Sequence, residues 1–418
     1  MSKIKLAVRK AYQECRFFGK ISPLNFIYAL VLDYLISCGK AKKIYSVIVR
    51  MEIKRNPLLA YYSARVFFLL GFNHKAITIL TELTKRFPNH ADLAYLLSDC
   101  LWSGNDVDSA RDILETTLEN SHRLKTWLML ANLTNEDEDY QRLKKLWSQY
   151  KEKGKVPPYH YNLDSYISTA AMRSKNYEDA IVLWQSFILK TMKEKCVFPK
   201  SSGVKKFSSN SAAKALLDLD ETLKSNNIEF FLVSGTLLGC IRDGKLLSHD
   251  KDIDVGIWSD LGIENAIQAV KNSGMFYVQN SRSDLALRIK HVNGTAIDIF
   301  LHFREEGNYW HGGSKLKWSN TPFELVKHHF LKRIFLIPKN YDLYLSENYG
   351  NWKVKKTNFD SAFDTPNATV INRYEMIVHT YKALALSLYE KNSKHSKIHL
   401  NTLKALGENN FVSNQEWH

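Results

Sequence analysis

The chain has 418 residues, 45% of them hydrophobic and 24% charged, and its 58 lysines and arginines outweigh 43 acids for a formal net charge of +15. That length predicts two or three domains, and the hydrophobic fraction is ordinary for globular ones. A basic balance favours polyanionic partners, whether nucleic acid, anionic lipid or a phosphorylated polymer; no recognisable nucleic-acid motif is present and the basic residues read as dispersed, so DNA or RNA is not the expected partner.

Five cysteines (Cys15, Cys38, Cys100, Cys196, Cys240) are scattered, without Cys-x-x-Cys spacing, which argues against a disulfide framework and fits a reducing, cytoplasmic compartment. The N-terminal Met-Ser-Lys-Ile-Lys-Leu lacks the apolar core of a signal peptide. The apolar runs 24–38 and 57–72 are interrupted by Asp33 and Arg65 and fall short of a membrane span, so they are read as buried helices.

Residues 1–197 are predicted to be all-α, with apolar positions at helical period. The pattern repeats: small or apolar anchors recur at Ala76, Ala110, Leu143 and Ala180, spacings of 34, 33 and 37, and Gly39–Ile48 reads as an earlier copy. A period near 34 is tetratricopeptide-like, and each helical pair buries its apolar face only against the next. Such an array suits a protein partner, self-association or an acceptor polymer. A break at Phe198-Pro199-Lys200-Ser201 marks the boundary, and a helix over about 209–226 leads into a second domain, 198–368, of α+β class with a mixed sheet. A C-terminal segment, 369–418, is read as a helix over about 369–391 and a polar, partly flexible tail.

The second domain carries the chemistry. An apolar strand, Phe230–Val233, runs into the small-residue turn Ser234-Gly235-Thr236, and three aspartates, Asp250, Asp252 and Asp254, then alternate along a predicted strand. Alternate strand positions share a face, roughly 7 Å apart. At about 5 Å and an effective dielectric near 20, two carboxylates repel by about 3 kcal/mol. A hard cation such as Mg²⁺ (or Mn²⁺), shared with substrate phosphates, reverses that sign. Asn293-Gly294 signals a hairpin, and its second strand, Ala296-Ile297-Asp298-Ile299, isolates one acid among apolar residues. A lone buried carboxylate needs a partner or a metal.

Gly235-Thr236-Leu237-Leu238-Gly239, Arg242-Asp243-Gly244 and Asp250-Lys251-Asp252-Ile253-Asp254, followed far downstream by Tyr349-Gly350-Asn351-Trp352, resemble the signature of the LicD/fukutin family, within the DNA-polymerase-β-like nucleotidyltransferase superfamily. The resemblance spans about residues 210–360 and lacks the cysteine-rich metal element of some animal members. It implies a phosphotransferase that moves an alcohol or sugar phosphate from a CDP-linked donor to a hydroxyl of a cell-surface glycan of capsule, lipopolysaccharide or teichoic-acid type, with a lipid-linked or anionic acceptor at the inner membrane surface. Asp252, Asp254 and Asp298 would be the catalytic metal ligands, with Asp250 a supporting residue and Asp298 orienting or accepting the proton of the attacking hydroxyl. Ser234, Gly235, Thr236, Gly239, Arg242, Lys245 and Arg288 would bind the donor.

Two other readings compete. A nucleotidyltransferase adding NMP from an NTP would use the same triad, and a non-catalytic repeat-based adaptor would need none of it. Tyr309, Trp310 and Trp318 could cage a choline cation. The histidines His249, His291, His302, His328 and His329 show no ligand spacing and read as ordinary or hydrogen-bonded side chains.

Overall fold

The computed structural model describes residues 3–19, 22–48, 56–193, 196–198, 208–248, 250–356, 359–415 and 417. Most of the boundary segment 196–206, together with His249, lies outside the described residues. Packing divides the chain into two compact units, each discontinuous in sequence: residues 1–106 with 205–369, and 107–204 with 370–418.

The first unit opens with six helices, α1 (Lys3–Phe17), α2 (Pro23–Ser37), α3 (Ala41–Ile48), α4 (Pro57–Leu69), α5 (Asn73–Arg86) and α6 (Ala91–Ser103). Caps match the sequence: Ser22 accepts from the Asn25 amide ahead of α2, and Asn56 from Leu58 and Leu59 ahead of α4, each followed by proline at the first helical position. The anchor Ala76 is fully buried, as is Ala41 in the earlier copy at Gly39–Ile48. Helix α4 is buried nearly all round, as its composition predicts, whereas α2 is not: it buries one face and leaves an apolar stripe in solvent.

In the second unit, α7 (Val107–Asn120), α8 (Leu124–Asn132), α9 (Asp137–Glu152), α10 (Tyr161–Arg173) and α11 (Tyr177–Lys193) continue the paired helices. Ala110, Leu143 and Ala180 are again buried at the crossings. After the sheet domain the chain returns as α16 (Arg373–Tyr389), α17 (Ser393–Ala405) and α18 (Asn409–Ser413). Tyr177 stacks on Tyr374, and Gln185 and Glu408 both bond the Tyr381 hydroxyl. The tail expected to be partly flexible is thus helical: Asn392 caps α17, Lys394 and Lys397 face solvent, and Ser396, His399, Leu403 and Val412 are buried.

Between these, the first unit contains α12 (Ser209–Lys224), β1 (Phe231–Leu232), α13 (Ser234–Leu238) running into a π-helical turn at Gly239–Asp243, β2 (Asp252–Trp258), α14 (Ile263–Lys271), β3 (Phe276–Val278), β4 (Ala286–His291), β5 (Ala296–Glu305), β6 (Asn308–Gly312), β7 (Leu316–Asn320), β8 (Leu325–Phe330), β9 (Arg333–Pro338), α15 (Tyr341–Tyr349) and β10 (Ala368–Val370). The sheet is mixed, in the order β10-β7-β6-β5-β2-β1-β9-β8, with β3 and β4 branching from β5. Both β4 and β6 pair antiparallel with the same β5: β4 along 296–300 and β6 along 302–305. Strands β2 and β5 run parallel with Asp254 opposite Asp298.

Period-two alternation in these central strands decides which way the acids face. Ile253, Val255, Ile257, Ile297 and Ile299 are fully buried in the core that also takes Ala212, Leu216, Leu219 and Leu223 of α12 and Ala266 and Val270 of α14. Asp252, Asp254 and Asp298 therefore emerge on the other face.

Candidate functional site

That face opens into a cavity of about 520 Å³. Asp252, Asp254 and Asp298 reach into it, each with a carboxylate oxygen within 4.8 Å of the others. Burial pushes the Asp252 carboxyl above the usual range. Asp254 is pushed well above it by burial and then by the charges of Asp252, Asp250 and Asp298. Burial raises Asp298 too, against the pull of Arg288 opposite it on β4, whose Nη2 lies 3.5 Å from Asp298 Oδ2. Three hard oxygen donors converging at this separation fit a divalent cation such as Mg²⁺, and their mutual repulsion is what such an ion would relieve.

Asp250 is not on the strand. Strand β2 begins at Asp252, and Asp250 closes the preceding loop, its Oδ1 accepting the Lys251 amide at 3.0 Å. Its carboxylate nevertheless lines the cavity and lies over Gly235, where an added Cβ would collide with it. Burial and then the Asp252 charge lift Asp250 to about 6.

The residues expected at the donor divide. Ser234, Gly235, Arg242 and Arg288 line the cavity; Thr236, Gly239 and Lys245 do not. Thr236 is buried and its hydroxyl accepts the Asp254 amide at 2.9 Å, so it fixes the acid-bearing strand from behind. Gly239 is packing: a Cβ there would lie 2.7 Å from the Lys245 carbonyl oxygen. Lys245 itself is exposed on the turn beyond. Ser234 has φ of 46°, unusual for a residue with a side chain and a form of local strain that collects at functional turns. Arg242 donates to Asp243 Oδ1 at 3.1 Å and to the Trp352 carbonyl at 3.3 Å, joining the π-helical turn to the Tyr349–Trp352 segment. Burial raises Asp243, but Arg242 and Lys355 outweigh it and hold its carboxyl below the usual range.

Residues outside the expected donor-binding and metal-binding set complete the wall. Lys251, Lys315 and Lys356 ring the acids with positive charge, and Asn348, Tyr349, Asn351, Trp352 and Phe359 form one side. The other side is aromatic: Phe300, two residues past Asp298, packs edge-on against His311, and Trp318 stacks on His311 at 5.2 Å. His311 in turn stacks on His302 at 4.4 Å, and burial holds both imidazoles neutral. Of the suggested choline cage only Trp318 reaches the cavity. Tyr309 packs on Trp258 and Phe323, and Trp310 lies flat on Phe303. His291 is an ordinary buried histidine bonded to Asp218 at 2.9 Å.

The sheet thus brings three carboxylates from two parallel central strands into one cavity with a Ser-Gly turn. Residues 227–340 match the family described as LicD/FKTN/FKRP, nucleotidyltransferase domain, and residues 73–133 match a tetratricopeptide repeat. The chain is LicD/fukutin-like, with a tetratricopeptide region ahead of the mixed-sheet domain. Among similar proteins, "Ribitol-5-phosphate transferase FKTN" of Macaca fascicularis is 27% identical over 202 residues, 46% of this chain and 41% of that protein. Its Mus musculus counterpart is 30% identical over 166 residues, 37% and 36% of the two chains. An uncharacterized protein of Rickettsia typhi is 31% identical over 100 residues, 22% of this chain and 29% of that protein. The matched region spans about two fifths of the length of these transferases.

Proposed function

We propose that this chain is a phosphotransferase that moves an alcohol or sugar phosphate, such as a polyol phosphate, from a CDP-linked donor to a hydroxyl of a glycan. The observation that carries the reading is the meeting of Asp252, Asp254 and Asp298 within 4.8 Å in a cavity rimmed by basic side chains. Acids at the centre with Arg242, Lys251, Arg288 and Lys356 around them suit a pyrophosphate, which needs positive charge along its length. Asp252, Asp254 and Asp298 would hold Mg²⁺ or Mn²⁺, which supplies further neutralisation of the phosphate oxygens when bound.

In this reading Ser234 and Gly235 position the donor's phosphates. Asp298, on the same strand as Phe300 of the aromatic wall, orients the acceptor hydroxyl and takes its proton, and its raised proton affinity suits a base. The hydroxyl oxygen bonds to the phosphorus of the transferred group, the bond from that phosphorus to the bridging oxygen breaks, and CMP leaves with the electron pair. Arg288 holds the Asp298 carboxylate in place. Positioning and charge carry the rate, as in phosphoryl transfer generally.

The test is product analysis by mass spectrometry with a panel of CDP-alcohols, glycan acceptors and Mg²⁺. CMP release coupled to acceptor phosphorylation, lost by at least about a hundredfold in Asp298→Asn, supports the reading. Pyrophosphate release from an NTP would replace it with nucleotidyl transfer, and full activity in Asp298→Asn would reject the assigned role of that residue.

A further inference from the structure

Helix α2 has two apolar faces. Asn25, Ala29 and Ile36 are buried against the neighbouring helices, while Leu24, Ile27, Val31 and Tyr34 stand 57%, 53%, 48% and 66% exposed. Spaced three and four apart, these four form one stripe along the solvent side. Val8 and Tyr12 of α1 and Val47 of α3 are exposed to similar degrees, so three consecutive helices leave apolar side chains in water. Single exposed apolar residues are ordinary; a continuous stripe marks a contact surface.

The charge around it says what kind. Residues 1–48 contain nine lysines and arginines against two acids, so nearly half of the chain's net charge of +15 sits in about a ninth of its length. The excess comes chiefly from the scarcity of acids at this end, which holds two of the chain's 43. Both acids are spoken for: Glu14 is buried beside His90, and Asp33 lies between Lys10 at 2.5 Å and Arg65 at 3.0 Å. Arg9, Arg16, Lys40, Lys42 and Lys43 are exposed.

We infer that the α1–α3 face docks on an anionic lipid surface, with the α2 stripe entering the boundary between headgroups and acyl chains and the flanking basic residues meeting the headgroups. A bilayer with acidic headgroups satisfies both halves of the patch at once. A second copy would set two strongly positive faces together, and nucleic acid would leave the apolar stripe uncovered. No helix among the described residues is long and apolar enough to cross a membrane, so the contact is peripheral.

The test is cosedimentation of the full chain with vesicles of phosphatidylcholine alone and of phosphatidylcholine mixed with phosphatidylglycerol. Binding to the mixed vesicles only, weakened by salt, is expected. The double variant Ile27→Asp/Val31→Asp should lose at least about tenfold in partitioning, and Lys42→Glu and Lys43→Glu should each lose about fivefold. All four positions are exposed, so circular dichroism and thermal unfolding of the variants should match the parent chain. A parent chain left in the supernatant, or variants that bind equally well, would overturn the inference. So would a dimer that the double variant splits while vesicles capture nothing.

Discussion

Replacing Asp254 by asparagine should stabilise the metal-free protein while removing its function. The side chain is half-buried, and one of its oxygens lies within 4.8 Å of an oxygen of Asp252 and of Asp298. At that separation and an effective dielectric near 20, each ionised pair repels by about 3 kcal/mol. Part of this is already relieved by proton uptake and by Lys251 and Arg288, so a net gain of about 1–3 kcal/mol is expected at neutral pH. The amide keeps the shape and can still accept the hydrogen bond from Gly235. For a unit of this size the gain raises the unfolding midpoint by about 2–4 °C per kcal/mol. Calorimetry in chelator should show it. Added Mg²⁺ should then raise the midpoint of the parent chain by mass action and leave the asparagine variant unmoved. A variant less stable than the parent in chelator would refute the argument that uncompensated charge dominates this cluster.

Three further outcomes follow from the packing. Gly256→Ala places a Cβ 2.7 Å from the Phe231 ring and 2.8 Å from His302, both buried, and should cost about 1–3 kcal/mol in urea unfolding; an unchanged midpoint would contradict the packing. His302 donates through Nδ1 to the Phe300 carbonyl and leaves Nε2 buried without a partner, so protonation is disfavoured and its pKa falls from 6.5 to about 3. Below pH 6.5 the unfolded chain takes up the proton first, so stability is lost as pH falls, by about 2 kcal/mol at pH 5; His302→Phe should flatten that part of the profile, and an identical slope would assign it elsewhere. Arg65→Leu removes the cation between Asp33 and the Tyr277 hydroxyl and should cost about 2–4 kcal/mol, read by chemical denaturation; a neutral result would make that ion pair dispensable.

What was legible in the chain follows from periodicity. Ile-Asp-Val on β2 and Ile-Asp-Ile on β5 announce one apolar and one acidic face, and the Asn293-Gly294 turn fixes the hairpin that brings Arg288 opposite Asp298. Alternation was extended one pair too far at Asp250, because spacing alone does not say where pairing starts. Thr236 and Gly239 sat in the right motif for a different reason, since a small residue serves a backbone contact as readily as a phosphate. His311 carries no signal in the sequence, and Trp318 stands out there only as one of three aromatics, for their place depends on the register of β6 and β7 against β5, which no local pattern encodes. The outer stripe of α2 was hidden too, because an apolar run reads alike whether one side or both are covered.

Arg65 also bears on how the protein can be taken apart. Its guanidinium lies over Tyr61 and Tyr62 and bonds Tyr277 of β3, while Phe68 packs beside the same tyrosine and Gly39 and Gly71 fit against Met275 and Asn272. The early helices are thus a wall of the sheet domain rather than an appendage to it. A fragment cut at the family boundary would carry every acid of the cavity and still lose one side of its own interior, so an inactive excised domain would speak to missing architecture before it spoke to chemistry.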